Sequence, residues 1–125
     1  CAINIESKFE DAYINLANLK ILLDDYKDSI KYCTKLIKLS PNSTDGYITR
    51  GLSKYEIKDY KGAIEDYTKA IDINPENYSP FYFRGLAKYQ STNFEGAIKD
   101  FTKIIKSNPE CMFTILTKII FDFNW

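Results

Sequence analysis

The sequence predicts an all-α fold, in which antiparallel helix hairpins stack side by side into an α–α superhelix, a solenoid of about three full units. Three observations carry that expectation. The phrase DYKGAIEDYTKAIDINPEN at residues 59–77 returns, lightly altered, as NFEGAIKDFTKIIKSNPEC at 93–111, 34 positions later. Within each copy the apolar residues step by three and four, as Tyr60, Ala63, Ile64, Tyr67, Ala70 and Ile71 do, which is the period of one helix face. A proline then follows the last apolar position of each copy. A hairpin of two helices, each about 14 residues and about 21 Å long, cannot cover its own apolar face, so neighbours must stack.

The composition suits a globular core and narrows the function. The 125 residues are 45% hydrophobic and 27% charged, as in an ordinary folded domain. Seventeen basic residues balance seventeen acidic ones, so no long-range field draws in nucleic acid or an anionic membrane. No run of 18 apolar residues is present to span a bilayer. Histidine is absent, and Cys1, Cys33 and Cys111 are far apart with no C-x-x-C pairing, which argues against a zinc site, a disulfide framework or any cofactor. A cytoplasmic setting is the expectation. The first residue is not methionine, so the sequence is expected to be a fragment, and a lost signal peptide stays open.

Taken in order, residues 1–9 align with the end of a second helix, Ala2 under Ala70 and Ile3 under Ile71, and are expected to finish a preceding repeat. Three ungapped units follow, at 10–43, 44–77 and 78–111. In each, a first helix (A) carries an aromatic residue, Tyr13, Tyr47 or Phe81, and then a small one, Ala17, Gly51 or Gly85. In the third unit, Ser79-Pro80 is expected to cap helix A, with proline at its first position. A second helix (B) opens at Asp25, Asp59 or Asn93, side chains that satisfy the first free N–H groups. It continues through Tyr26, Tyr60 or Phe94, then Ser29, Ala63 or Ala97, then Cys33, Tyr67 or Phe101, and stops before Pro41, Pro75 or Pro109. The small residues are expected at close helix crossings, filled by aromatic rings from opposite. Residues 112–125 begin where a fourth helix A belongs, but Ile119 occupies the small-residue column; a capping helix, the start of a fourth repeat and an unstructured tail are the alternatives.

This column pattern resembles the tetratricopeptide repeat: a 34-residue period, an aromatic at position 4, small residues at 8 and 20, an aromatic at 24, alanine at 27 and proline at 32. Unit 2 matches all six with Tyr47, Gly51, Ala63, Tyr67, Ala70 and Pro75, while unit 1 departs at Ser29, Cys33 and Leu36, and unit 3 at Ile104. The resemblance implies a protein-interaction module whose A helices line a concave groove. Carried over column by column, that groove consists of Ile14, Asn18 and Ile21, then Ile48, Leu52 and Tyr55, then Tyr82, Leu86 and Tyr89, with Asn15, Thr49 and Phe83 from the adjoining column.

The implied groove is apolar and aromatic, with Asn18 as an amide suited to a ligand backbone. The subclass that clamps a C-terminal carboxylate has cations where this chain has Ile14, Ser79 and Phe83, and an amide where it has Thr49. Only Asn18 agrees, so an apolar peptide segment or amphipathic partner helix is the expected ligand. The same residues are alternatively an internal packing surface, for the C-terminal segment or a missing repeat.

Arg50 and Arg84 exist only in the units that also have Asp66 and Asp100 on helix B; unit 1 has Leu16 and Tyr32 at those places. That joint exchange predicts a bidentate Arg–Asp pair across the hairpin. Lys27, Lys31, Lys35 and Lys38 stripe one face of the first helix B and are expected to be solvated. Without histidine there is no Ser–His or Cys–His pair, Cys33 falls in a core column, and the Asp24, Asp25 and Asp28 cluster sits where a helix cap is needed. No catalysis is expected. The rival expectations are a structural protein that self-associates into a homo-oligomer through its open ends, and the non-catalytic interaction arm of a larger enzyme.

Overall fold

The computed structural model describes residues 2–107, with side chains from residue 8 onward. Six helices and no strands occur among them: α1 (Ala2–Leu22), α2 (Tyr26–Leu39), α3 (Thr44–Glu56), α4 (Tyr60–Ile73), α5 (Ser79–Gln90) and α6 (Phe94–Ser107). They form an all-α solenoid in which α1, α3 and α5 act as A helices and α2, α4 and α6 as B helices. Pro109 and the segment 112–125 lie outside the described residues.

The helix boundaries have local causes. Asp25 accepts a hydrogen bond from the Asp28 backbone N–H at 3.3 Å, Asp59 from Gly62 at 3.0 Å and Asn93 from Gly96 at 3.1 Å, so each B helix starts on a side-chain cap. Ahead of each cap one residue takes a left-handed backbone, Asp24 (φ 60°), Lys58 (φ 67°) and Thr92 (φ 67°), which reverses the chain within three residues. The cap's own N–H then reaches back to the A helix: Asp25 to Lys20 O, Asp59 to Lys54 O and Asn93 to Lys88 O, each 2.8 Å. At the other end, Ser40 (φ −137°, ψ 84°) and Asn74 (φ −140°, ψ 87°) are extended, because the proline that follows disfavours a helical residue before it.

Two local expectations need correcting. Ser79 does not cap α5: it is the first helical residue, its N–H donates to Asn77 Oδ1 at 3.2 Å, and Tyr78 holds the cap position without a side-chain bond. Asn77, two residues upstream, instead satisfies the first free N–H of the helix. Residues 1–9 were expected to close a preceding B helix, but α1 is unbroken from Ala2 to Leu22. Ser7 stands in the proline column there, and without proline nothing removes a backbone donor to stop the helix.

Packing follows the small-residue columns. A Cβ built on Gly51 would lie 2.6 Å from the Tyr67 ring, and one on Gly85 would lie 2.7 Å from the Phe101 ring. Ring and glycine therefore set how closely each hairpin's two helices approach. Ala17, Ala63, Ala87 and Ala97 are buried with them, as are Cys33, Leu36, Ala70 and Ile104. Ser29, in the column where the later units have alanine, is buried too, and it accepts a 2.8 Å hydrogen bond from Ser53 Oγ of the next unit. Each B helix touches only A helices among the described residues, whereas α3 touches both α1 and α5. The A helices are thus the inner, more closely approaching track.

Candidate partner-binding cleft

On that inner track an open cleft of about 460 Å³ lies between α3 and α5. Leu52, Tyr55 and Glu56 come from α3, Tyr82, Phe83, Leu86 and Gln90 from α5, and Tyr67 from α4 beneath. Helical spacing puts Leu52, Tyr55 and Glu56 on one face of α3, and Tyr82, Phe83, Leu86 and Gln90 on the facing side of α5. The walls hold one another in place: Phe83 stacks at a tilt on Tyr67 with centroids 5.8 Å apart, and edge-on to Tyr82 at 5.7 Å. Tyr82 in turn rests on Phe101 at 6.1 Å.

Five of the twelve residues expected in the groove meet here: Leu52, Tyr55, Tyr82, Phe83 and Leu86. Ile14 on α1 and Ile48 on α3 are half-buried and lie away from the cleft, and Asn18 on α1 is exposed. Tyr89 also lies apart, its ring edge-on to Phe94 at 5.7 Å and packed on the α5–α6 core. Thr49 is buried, not offered to a ligand. Three lining residues escaped the sequence pattern: Glu56, Gln90 and Tyr67. Glu56 and Gln90 lie one position beyond the groove columns, a spacing that contained the signal. Tyr67 counted only as a core aromatic.

Tyr67 is the unusual member. It is 0% exposed, and its hydroxyl has no hydrogen-bond partner among the described residues. Burial pushes its phenol well above the usual tyrosine range, and the neighbouring Tyr55, Asp66 and Glu56 push the same way. Two of those three, Tyr55 and Glu56, are cleft-wall residues. Among the described residues no lysine or arginine lines the cleft.

The expected Arg–Asp pairs are present and more elaborate than a pair. Arg50 donates from Nε and Nη2 to both Asp66 oxygens at 2.9 and 2.8 Å, and Arg84 does the same to Asp100 at 2.9 and 2.7 Å. Each buried aspartate also meets a lysine one turn along helix A, Lys54 at 3.1 Å and Lys88 at 3.2 Å. The remaining guanidinium nitrogen donates to a threonine of the preceding unit, Arg50 to Thr34 at 3.3 Å and Arg84 to Thr68 at 3.2 Å. The hydrogen bonds that Arg50 donates to Asp66 raise the Arg50 pKa against the opposing effect of burial. These arginines are consumed in structure and are not an anion site.

Lys27, Lys31, Lys35 and Lys38 are all exposed on α2. Lys20 pairs with Asp28 at 3.4 Å beside the Asp25 cap. Among the described residues no group of three or more His, Cys, Asp or Glu side chains is arranged to hold a metal, and no helix is long and apolar enough to cross a membrane.

Two family models match the sequence. Residues 10–43 match one described as a tetratricopeptide repeat, and residues 51–92 match a second TPR repeat model. The chain belongs to the tetratricopeptide repeat family. No curated protein matches the sequence. Among solved structures, this tetratricopeptide repeat chain is similar to the first TPR of Spaghetti (RPAP3) bound to the HSP90 peptide SRMEEVD, at 20% identity and TM-score 0.82 over 90% of each chain. It is also similar to the Arabidopsis OM64 TPR domain, at 21% identity and TM-score 0.79, covering 84% of this chain and 87% of that one. A third likeness is to MamA, at 26% identity and TM-score 0.76, where 81% of this chain spans 59% of that protein. These likenesses show the fold; the matching repeat models place the chain in a family of protein-interaction modules.

Proposed function

We propose that the chain is a protein-interaction module with no chemistry of its own, which binds an uncharged, apolar peptide segment of a partner in the cleft between α3 and α5. The observation that supports this most directly is the makeup of the cleft: leucines and aromatic rings on both walls, no cation, and walls already packed against Tyr67 and Phe101. A pre-ordered apolar groove gains from burying the ligand's surface without a large ordering cost. The structural neighbours bound to SRMEEVD hold a peptide with acidic residues. In this chain Ile14, Ser79 and Phe83 occupy the places where carboxylate-clamping relatives are expected to have cations, so the acidic-tail mode is not carried over.

The test is selection from a random 12-residue peptide library displayed on phage. Peptides recovered on the full chain are expected to be rich in apolar residues and to lose at least about tenfold in affinity on Leu52→Arg, a change worth about 1.4 kcal/mol, with the helical circular-dichroism signal intact. Peptides indifferent to Leu52→Arg, or no peptides at all, count against the cleft.

Self-association is the second reading, favoured by the apolar residues exposed along α1, α2 and the turn between them: Phe9 (60%), Leu19 (55%), Leu22 (79%), Leu23 (73%) and Leu39 (62%). A molar mass by light scattering that stays monomeric as concentration rises removes it.

A further inference from the structure

The cleft has one charged end. α3 and α5 are successive copies of helix A and run the same way, so their C-termini lie at the same end of it. Glu56 and Gln90, the last residues of the two helices, both line the cleft there. A helix C-terminus carries a partial negative charge and favours a cation in its last turn. Glu56 is the opposite choice, a carboxylate set on that negative end. No lysine or arginine among the described residues pairs with it, Lys58 in the following turn included. The cations of the same two helix ends are engaged elsewhere, Lys54 on Asp66 at 3.1 Å and Lys88 on Asp100 at 3.2 Å. Glu56 and Gln90 are both exposed, so this end of the cleft stays in contact with water.

Resting on the cleft reading above, we infer that the partner's uncharged apolar segment is flanked by a lysine or arginine, whose side chain lies against Glu56 and Gln90 where the segment leaves the cleft. A carboxylate, two helix ends of the same sign and the Gln90 amide oxygen all accept hydrogen bonds, and a basic side chain has only donors to offer. Because this end is exposed, the cation keeps water on its outer side and avoids the desolvation that penalises a buried charge. An acidic flank would meet Glu56 and both helix ends with no cation among the described lining residues to offset them. An uncharged flank would leave the carboxylate as it stands and gain nothing. The charge also orients the ligand. An apolar stretch fits between Leu52 and Leu86 in either direction, whereas a basic residue beside it fixes which end lies at Glu56.

The experiment is a double-mutant cycle between protein and probe. Peptides selected on the full chain whose binding depends on Leu52 are expected to carry Lys or Arg on one side of the apolar stretch. The tightest is synthesised with Lys, norleucine or Glu at that position, acetylated and amidated so that no terminal charge contributes. Glu56→Gln is expected to weaken the Lys peptide about two- to fivefold at low ionic strength, the range of an exposed ion pair, and to leave the norleucine peptide unchanged. The difference is expected to vanish at about 1 M salt, where screening acts within about 3 Å. Glu56→Lys is expected to turn the selection towards Asp and Glu flanks. If Glu56→Gln moves the Lys and norleucine peptides equally, or neither, the carboxylate meets only water and the inference falls while the cleft reading survives. Leu52-dependent peptides without a basic flank overturn it as well. If no peptide binding depends on Leu52, the cleft reading itself has failed and this one goes with it.

Discussion

The close approach of Gly85 to the Phe101 ring defines a substitution with little room to relax. An isoleucine there puts a branched side chain where a single Cβ would already sit at 2.7 Å from the ring. Because the ring is packed by Tyr82 and the α5–α6 core, it has no open space to retreat into. Gly85→Ile is expected to cost at least about 1–3 kcal/mol, seen as a lower midpoint in urea; an unchanged midpoint would mean that the ring yields freely. Cys33 carries a pH signature instead. Its thiol is fully buried, and desolvation, partly opposed by the Ser29 hydrogen bond, pushes its pKa from an ordinary 9.0 up to about 11. Between those values the unfolded chain releases the proton while the folded one retains it. The stability is therefore complete below about pH 9 and declines as pH rises towards 11. Chemical denaturation across that window is expected to show a decline in the wild type that is shallower in Cys33→Ala.

At the scale of the element, the Arg–Asp–Lys–Thr group binds three helices together: α2, α3 and α4 around Arg50, and α4, α5 and α6 around Arg84. Removing Arg84 leaves Asp100, 3% exposed, with Lys88 as its remaining cation. Arg84→Met is expected to cost about 3 kcal/mol, and the double substitution with Asp100→Asn less than the sum of the two singles, measured by a thermodynamic cycle. Exchanging the charges by Arg84→Asp with Asp100→Arg does not restore the pair, because the new arginine would face Lys88. The exchange Leu16/Tyr32 for Arg/Asp made the pair legible in the sequence. The lysine and the threonine were not legible: Lys54 and Lys88 have a lysine, Lys20, in the same column of the first unit, so no joint exchange singles them out, and Thr34 and Thr68 belong to another unit. The same limit hid the Ser29–Ser53 bond, where Ser29 alone looked like a tolerated core variant. Period, helix type and small-residue columns were all readable because they depend on backbone spacing; which hydroxyl finds a partner depends on three-dimensional rotamers.

For the whole molecule, stability is distributed between neighbours, because each unit packs only on the next. A lesion in the third unit is therefore expected to act locally. In native-state hydrogen exchange, Gly85→Ile should accelerate exchange in α5 and α6 by a larger factor than in α2; equal acceleration throughout would indicate one indivisible cooperative unit. The cleft was half legible at this scale. Helical columns found Leu52, Tyr55, Tyr82, Phe83 and Leu86, but treated the groove as continuous from Ile14 to Tyr89, whereas the cleft described lies at the junction between α3 and α5. The A helices meet one another across the inner track while the B helices do not, so every junction is a wedge. Curvature and mouth width are then two expressions of the same angle. A residue exchanged at the back of a wedge, such as Ala87 packed against Ala63 and Tyr67 of the preceding unit, retunes the bend of the array and the grip on a partner together, without ever touching what is held.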